Sequence, residues 1–139
     1  RVEQVAKFVE TLGQRKGLET IFGVYSKHLD KFQIATMHSL PPSKNALENS
    51  EYSHLHSYVI RPAVSEKREE EVISPQHDAS VIGKSIENGN TQLAFFMRPV
   101  PLSEFVSIVT RGWRLPPKAT NFYPKPPAGA VIQQFGETL

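Results

Sequence analysis

The stretch Ser80-Val81-Ile82-Gly83-Lys84-Ser85-Ile86-Glu87-Asn88-Gly89-Asn90-Thr91-Gln92-Leu93-Ala94-Phe95-Phe96-Met97 decides how the chain is read. Val81, Ile82 and Ile86 form one apolar run, and Thr91 to Met97 forms another. Between them stands Asn88-Gly89, the dipeptide best suited to the positive φ values of a tight hairpin turn. The stretch therefore predicts strand, turn, strand. The return run is apolar enough to sit at the centre of a sheet. Pro99 and Pro101 end it, because proline cannot donate to a strand ladder. A helix is then expected over Leu102 to Arg111, with Ser103 as N-cap and Gly112 at the left-handed C-terminal position. Leu102, Phe105, Val106 and Val109 recur at helical spacing, which predicts a stripe facing the sheet.

Working outward, Val2, Val5, Val9 and Leu12 give a first helix closed by Gly13. Leu18, Ile21, Phe22, Tyr25 and Leu29 give a second, and four polar residues between them predict an antiparallel helical hairpin over 1–30. Gly23 weakens that second helix and marks a close contact. Lys31 to Leu40 switches to period two and reads as a strand ended by Pro41-Pro42. Ser43 to Ser53 reads as a loop. His54 to Val64 reads as a strand, with Pro62 near its end. Glu66 to Glu71 reads as a solvated charge run, Val72-Ile73 as a short strand, and Ser74 to Asp78 as a turn.

After Gly112 the texture changes. Seven of the eleven prolines lie from Pro99 onward, and Pro116-Pro117 and Pro124-Lys125-Pro126-Pro127 favour extended geometry. Ala130 to Phe135 reads as one last strand. The fold predicted is α+β in a single domain, 1–139. It comprises an N-terminal helical hairpin, an antiparallel sheet of four or five strands with one packed helix over 31–112, and a proline-rich C-terminal extension over 113–139.

The absence of cysteine excludes disulfides, thiol nucleophiles and thiolate metal sites, and fits an intracellular protein, nuclear or cytoplasmic. No apolar run approaches the ~18 residues of a membrane-spanning helix, so no membrane partner is predicted. The chain opens on Arg1 with no signal region, which reads as a segment of a larger protein. Charge is uneven. From Arg98 onward there are five basic and two acidic residues, while the preceding 97 hold the other 11 basic and 12 acidic ones.

Two groups of residues carry a chemical reading. His54 and His56 would lie on one side of a strand and so could share a metal ion, but a third ligand is not evident and no metal or other cofactor is predicted. The run His54-Leu55-His56-Ser57-Tyr58-Val59-Ile60 resembles the signature of the histidine-triad nucleotide hydrolases, which alternates three histidines with apolar residues. Here Tyr58 holds the third position. The resemblance spans seven of 139 residues, and 79 residues follow Ile60 where the family's motif lies near the end of its domain. The family's activity is therefore not carried over, and a histidine-dependent hydrolase stays an alternative. Gly83-Lys84-Ser85 ends like a phosphate-binding loop, but Asp78 stands where that loop needs its first glycine.

The other group is Trp113, Arg114, Lys118, Phe122, Tyr123 and Lys125, which interleave flat rings with cations. Such a set suits a protein or peptide partner, where Trp, Tyr and Arg dominate binding. It also suits RNA or another single strand, whose bases stack on rings and whose phosphates pair with cations. The plainer account is rings that pin the tail to the body. The function expected from sequence is a non-catalytic protein-interaction module, with single-stranded nucleic-acid binding as the alternative.

Overall fold

The computed structural model describes residues 1–17, 19–41, 43, 47–65 and 68–115. The fold is α+β, with a three-stranded antiparallel sheet and several helices. Helix α1 (Val2–Gln14) is followed by strands β1 (Thr20–Ser26) and β2 (Lys31–Met37). A helical stretch comes next: α2 (Glu51–Leu55), a π-helical turn over His56–Ile60, and α3 (Arg61–Ala63). Then come α4 (Glu69–Val72), α5 (Ala79–Glu87), β3 (Leu93–Phe96) and α6 (Leu102–Thr110). Strand order is β2-β1-β3, so β1 is central.

The predicted helical hairpin is half right. α1 forms as expected, but its neighbour is strand β1, paired with β2 from Thr20↔Met37 to Ser26↔Lys31. β1 is buried on both faces, so its sequence shows no alternation, and the spacing of Ile21, Phe22 and Tyr25 imitates a helix. Leu29 stands exposed in the turn, where Asp30 takes a positive φ of 49°. Gly23 does mark a close contact. A Cβ there would run into the Phe8 ring of α1 and come within 3.0 Å of Phe96 Cβ.

One sheet face carries Tyr25, Phe32 and Phe96. Phe8 from α1 lies 5.1 Å from Phe32 and 5.5 Å from Phe96, the latter edge-to-face. Val5, Leu12 and Ile86 complete this core with Ile21. Each such ring pair adds roughly 0.5–1.5 kcal/mol beyond the area it buries.

The stretch Ser80 to Met97 departs from the expected strand, turn and strand. Ala79–Glu87 is a helix, not a strand. Asp78 caps it by accepting from Ser80 N–H at 2.7 Å. Its inner face holds Ala79, Ile82 and Ile86, and Gly83 lets it cross α1 closely: a Cβ at Gly83 would sit 2.6 Å from Val2 Cα. Asn88-Gly89 ends the helix instead of turning a hairpin. Gly89 (φ 72°) donates to the Ile86 carbonyl at 3.0 Å and Asn90 to the Ser85 carbonyl at 2.9 Å, the paired bonds of a glycine-closed helix end. The return run forms β3, but at the sheet edge and paired only with β1.

The strand expected over His54 to Val64 is helical as far as Ala63, and the loop expected over Ser43 to Ser53 runs into that helix at Glu51. Ser50 Oγ accepts from Ser53 N–H at 3.2 Å and starts α2. The π-helical turn, where Arg61 N–H reaches the His56 carbonyl, comes just before Pro62. Proline has no N–H, and its ring presses on the carbonyl four residues back, so a widened turn relieves both problems. Glu69–Val72 of the charge run makes one helical turn, and the short strand expected at Val72-Ile73 does not form. Three strands therefore stand among the described residues where four or five were predicted for the sheet. α6 forms over nearly the expected residues, with Pro101 rather than Ser103 as N-cap. The expected strand at Ala130 to Phe135 and most of the proline-rich extension lie outside the described residues. No helix among the described residues is long and apolar enough to cross a membrane.

Candidate functional site

Helix α6 ends in the same way as α5. Gly112, at φ 74°, donates to the Val109 carbonyl at 2.9 Å, and Trp113 N–H donates to the Ile108 carbonyl at 3.2 Å. This closure sets the two residues that follow the helix. Trp113 is half-buried, the Arg111 guanidinium carbon sits 5.5 Å from its ring centroid, and Arg111 and Arg114 are exposed. A guanidinium over an indole face is favourable by roughly 0.5–1 kcal/mol at such a surface site. Neither Arg111 nor Arg114 makes an ion pair with another described residue. Of the predicted site, Trp113 and Arg114 are thus described and adjacent. Lys118, Phe122, Tyr123 and Lys125 lie outside the described residues.

The apolar stripe of α6 is where sequence and structure part. Ile108 is fully buried and Phe105 half-buried, but Leu102 is 69% exposed, and Val106 and Val109 are each 48% exposed. Leu102, Val106 and Val109 share one side of the helix, and that side faces outward. What turns inward beside Ile108 is Glu104. Burial and the neighbouring Glu51 carboxylate push its carboxyl up from the ordinary value, against the opposing pull of Arg98.

Arg98 holds this region together. Its Nε donates to Glu51 Oε1 at 2.9 Å, and its Nη atoms donate to the carbonyls of Arg15 at 3.0 Å and Glu19 at 2.8 Å. Glu51 also accepts from Ile21 N–H at 3.2 Å. One guanidinium thereby joins the α1–β1 connection, the start of α2 and the exit from β3.

The two histidines diverge because two residues apart on a helix means opposite sides, whereas on a strand it means the same side. His54 is buried against β1 and shares a 2.8 Å hydrogen bond with Thr20 Oγ1. Burial lowers its pKa from the ordinary value, with Glu51 acting the other way. His56 faces Glu69, at 2.9 Å, and stacks on Tyr52. Burial, then the Glu69 charge, raises the Tyr52 phenol. The predicted shared face of His54 and His56 therefore does not exist. No group of three or more His, Cys, Asp or Glu among the described residues is placed to hold a metal ion. Two hollows among the described residues are lined by Arg1, Val2, Glu3, Gln4 and Glu87, and by Ala63, Val64, Ser65, Arg68 and Val72; neither lining contains a histidine.

Sequence reasoning missed Arg98, whose partners are spread over Arg15 to Glu51, and it missed Arg111. The Arg111-Gly112-Trp113 order was the available signal for the latter: a glycine-closed helix end brings the flanking side chains together. Compared with protein-family models, with curated proteins and with solved structures, the chain matches none.

Proposed function

We propose that this chain is a non-catalytic protein-interaction module that makes contact through the outer side of α6 and through Trp113 and Arg114, which follow the helix. The observation that carries the reading is the outward stripe of Leu102, Val106 and Val109. It runs about 10 Å along the helix at 1.5 Å rise per residue. That length suits two or three turns of a partner helix or a short extended peptide. Half-exposed Trp113, just past the helix, supplies an aromatic anchor of the kind that dominates such contacts. The cysteine-free composition is in keeping with an intracellular setting.

The divergence of His54 and His56 weighs against the hydrolase alternative, because their imidazoles cannot act on one atom from opposite sides of a helix. The test is selection from a displayed library of short random peptides against the whole chain. Peptides carrying two or three apolar positions should enrich, with micromolar affinity, and should lose binding to Leu102→Asp with Val106→Asp. That variant should keep its fold, since both side chains face solvent. Enriched peptides that bind wild type and the variant equally would refute the reading.

A further inference from the structure

We infer that the outer side of α6 is covered by the chain's own C-terminal segment Ala130 to Phe135, which an outside partner must displace. This rests on the interaction reading above and adds a regulation to it. The exposed residues of α6 are Leu102, Ser103, Val106, Val109 and Thr110, so its exposed side carries no charge. Such a surface disfavours any segment whose charges it would bury unpaired, and suits an uncharged apolar one. Between Lys125 and Glu137 the chain has no charged residue, and Val131, Ile132 and Phe135 stand in that run. Val131 and Phe135 are four apart, so they share one side whether the segment is extended or helical.

The connection is long enough to allow this contact and short enough to favour it. Gly112 closes α6 just past Thr110, so the chain leaves the helix axis at once. Residues 116–130 then separate the described part from Val131, a reach of up to ~45 Å at ~3.1 Å per residue. Leu102 lies only about 12 Å back along the helix from Thr110. A segment tethered this closely acts at a local concentration on the order of 1 mM. A contact with a dissociation constant of that size is half filled within one chain, while the same contact between separate molecules at micromolar concentration stays empty. A second copy seated on this stripe alone would bury far less than the ~1,000 Å² that a stable interface between folded chains needs. The chain's own segment therefore takes the site first. An outside peptide binds only the fraction of chains in which that segment is off.

The chain has no cysteine, so Gln134→Cys gives a single attachment point for a nitroxide on the whole chain. The label should selectively broaden the amide resonances of Leu102 to Thr110. Leu102→Asp with Val106→Asp should abolish the effect, and so should Val131→Asp with Phe135→Asp. Peptides from the selection above that depend on Leu102 and Val106 should bind the Val131→Asp, Phe135→Asp variant about three- to tenfold more tightly than wild type, because their competitor is gone. Circular dichroism and melting compare that variant with wild type. The milder Val131→Ala with Phe135→Ala should shift affinity in the same direction even where the aspartates disturb the fold. No selective broadening, with stripe-dependent peptides bound equally by wild type and both tail variants, would overturn the inference and leave the interaction reading standing. No broadening and no stripe-dependent peptide would overturn both. Broadening that passes from nitroxide-labelled chains to separate isotope-labelled ones would overturn it in favour of a second copy.

Discussion

Gly23→Ala is the sharpest single test of the architecture, because the two ways of reading that residue predict opposite signs. In a helix, alanine is better than glycine by roughly 0.8–1 kcal/mol. In the structure Gly23 sits mid-β1 beneath α1, where a Cβ would collide with the Phe8 ring and approach Phe96 Cβ to 3.0 Å. The ring has little room to retreat, lying 5.1 Å from Phe32 and 5.5 Å from Phe96. Overpacking of this kind costs about 1–3 kcal/mol, offset by about 0.4–1 kcal/mol from the stiffer unfolded chain. The net expectation is a loss of about 1–2 kcal/mol, or about 4–8 °C in Tm for a domain of this size. Thermal and urea unfolding followed by far-ultraviolet circular dichroism would measure it. Phe8→Leu removes the colliding ring atoms, so in that background Gly23→Ala should cost much less, with a coupling of about 1 kcal/mol. A stabilised Gly23→Ala, or a cost unchanged by Phe8→Leu, would refute the placement of α1 over β1.

Three further outcomes are expected. His54 binds its proton less readily folded than unfolded, so the unfolded chain takes up more protons as pH falls below the ordinary histidine value, and stability should drop there; His54→Gln should flatten that limb in melts run across pH. Glu104 has the opposite consequence, since a raised carboxyl favours the folded state at low pH and loses that advantage as pH rises through its folded value; Glu104→Gln should therefore stabilise the protein at neutral pH, read as a higher Tm. Arg98→Met leaves Glu51 without its guanidinium and strips the Arg15 and Glu19 carbonyls of donors, and should cost about 2–3 kcal/mol by urea unfolding.

Much of α1, β2 and the span of α6 was legible because each has a solvent face, and so each advertises its period. Strand β1 has no such face. Thr20, Ile21, Phe22 and Tyr25 are all buried, and a continuous apolar run carries no period to read. α5 was lost to a different ambiguity. Gly89 needs positive φ whether it turns a hairpin or closes a helix, so Asn88-Gly89 fixes the backbone at one residue without saying what precedes it. The decisive evidence lay at the other end, in the Asp78 cap, and in Ile82 and Ile86 four residues apart. His54-Leu55-His56 suggests a strand, but Ser57 and Ile60 break the alternation, and Ser50, the cap that starts the helix, lies upstream of the run. In the candidate site, the adjacency of Trp113 and Arg114 was visible, but the rotation of α6 was not, because it depends on residues far away in the chain.

That rotation links fold to surface. Burying Leu102, Val106 and Val109 would be worth about 25 cal/mol for each Å² of apolar area, so their exposure needs a cause. Successive helical residues are turned about 100° apart, and a helix this short can bury only one side. Ile108 and Glu104, four apart, define the side that is buried. Glu104 lies close enough to Arg98 and Glu51 for both charges to act on it. Arg98 cannot shift to suit another arrangement without abandoning Glu51 and the carbonyls of Arg15 and Glu19. Arg98 offsets only part of the burial and the Glu51 repulsion acting on Glu104, so the rotation is held by the full burial of Ile108 rather than by that charge. Rolling α6 to bury its richer apolar stripe would bring Ile108, now fully buried, into water. The exposed stripe follows from this constraint, and its unburied area remains available to a partner that covers it.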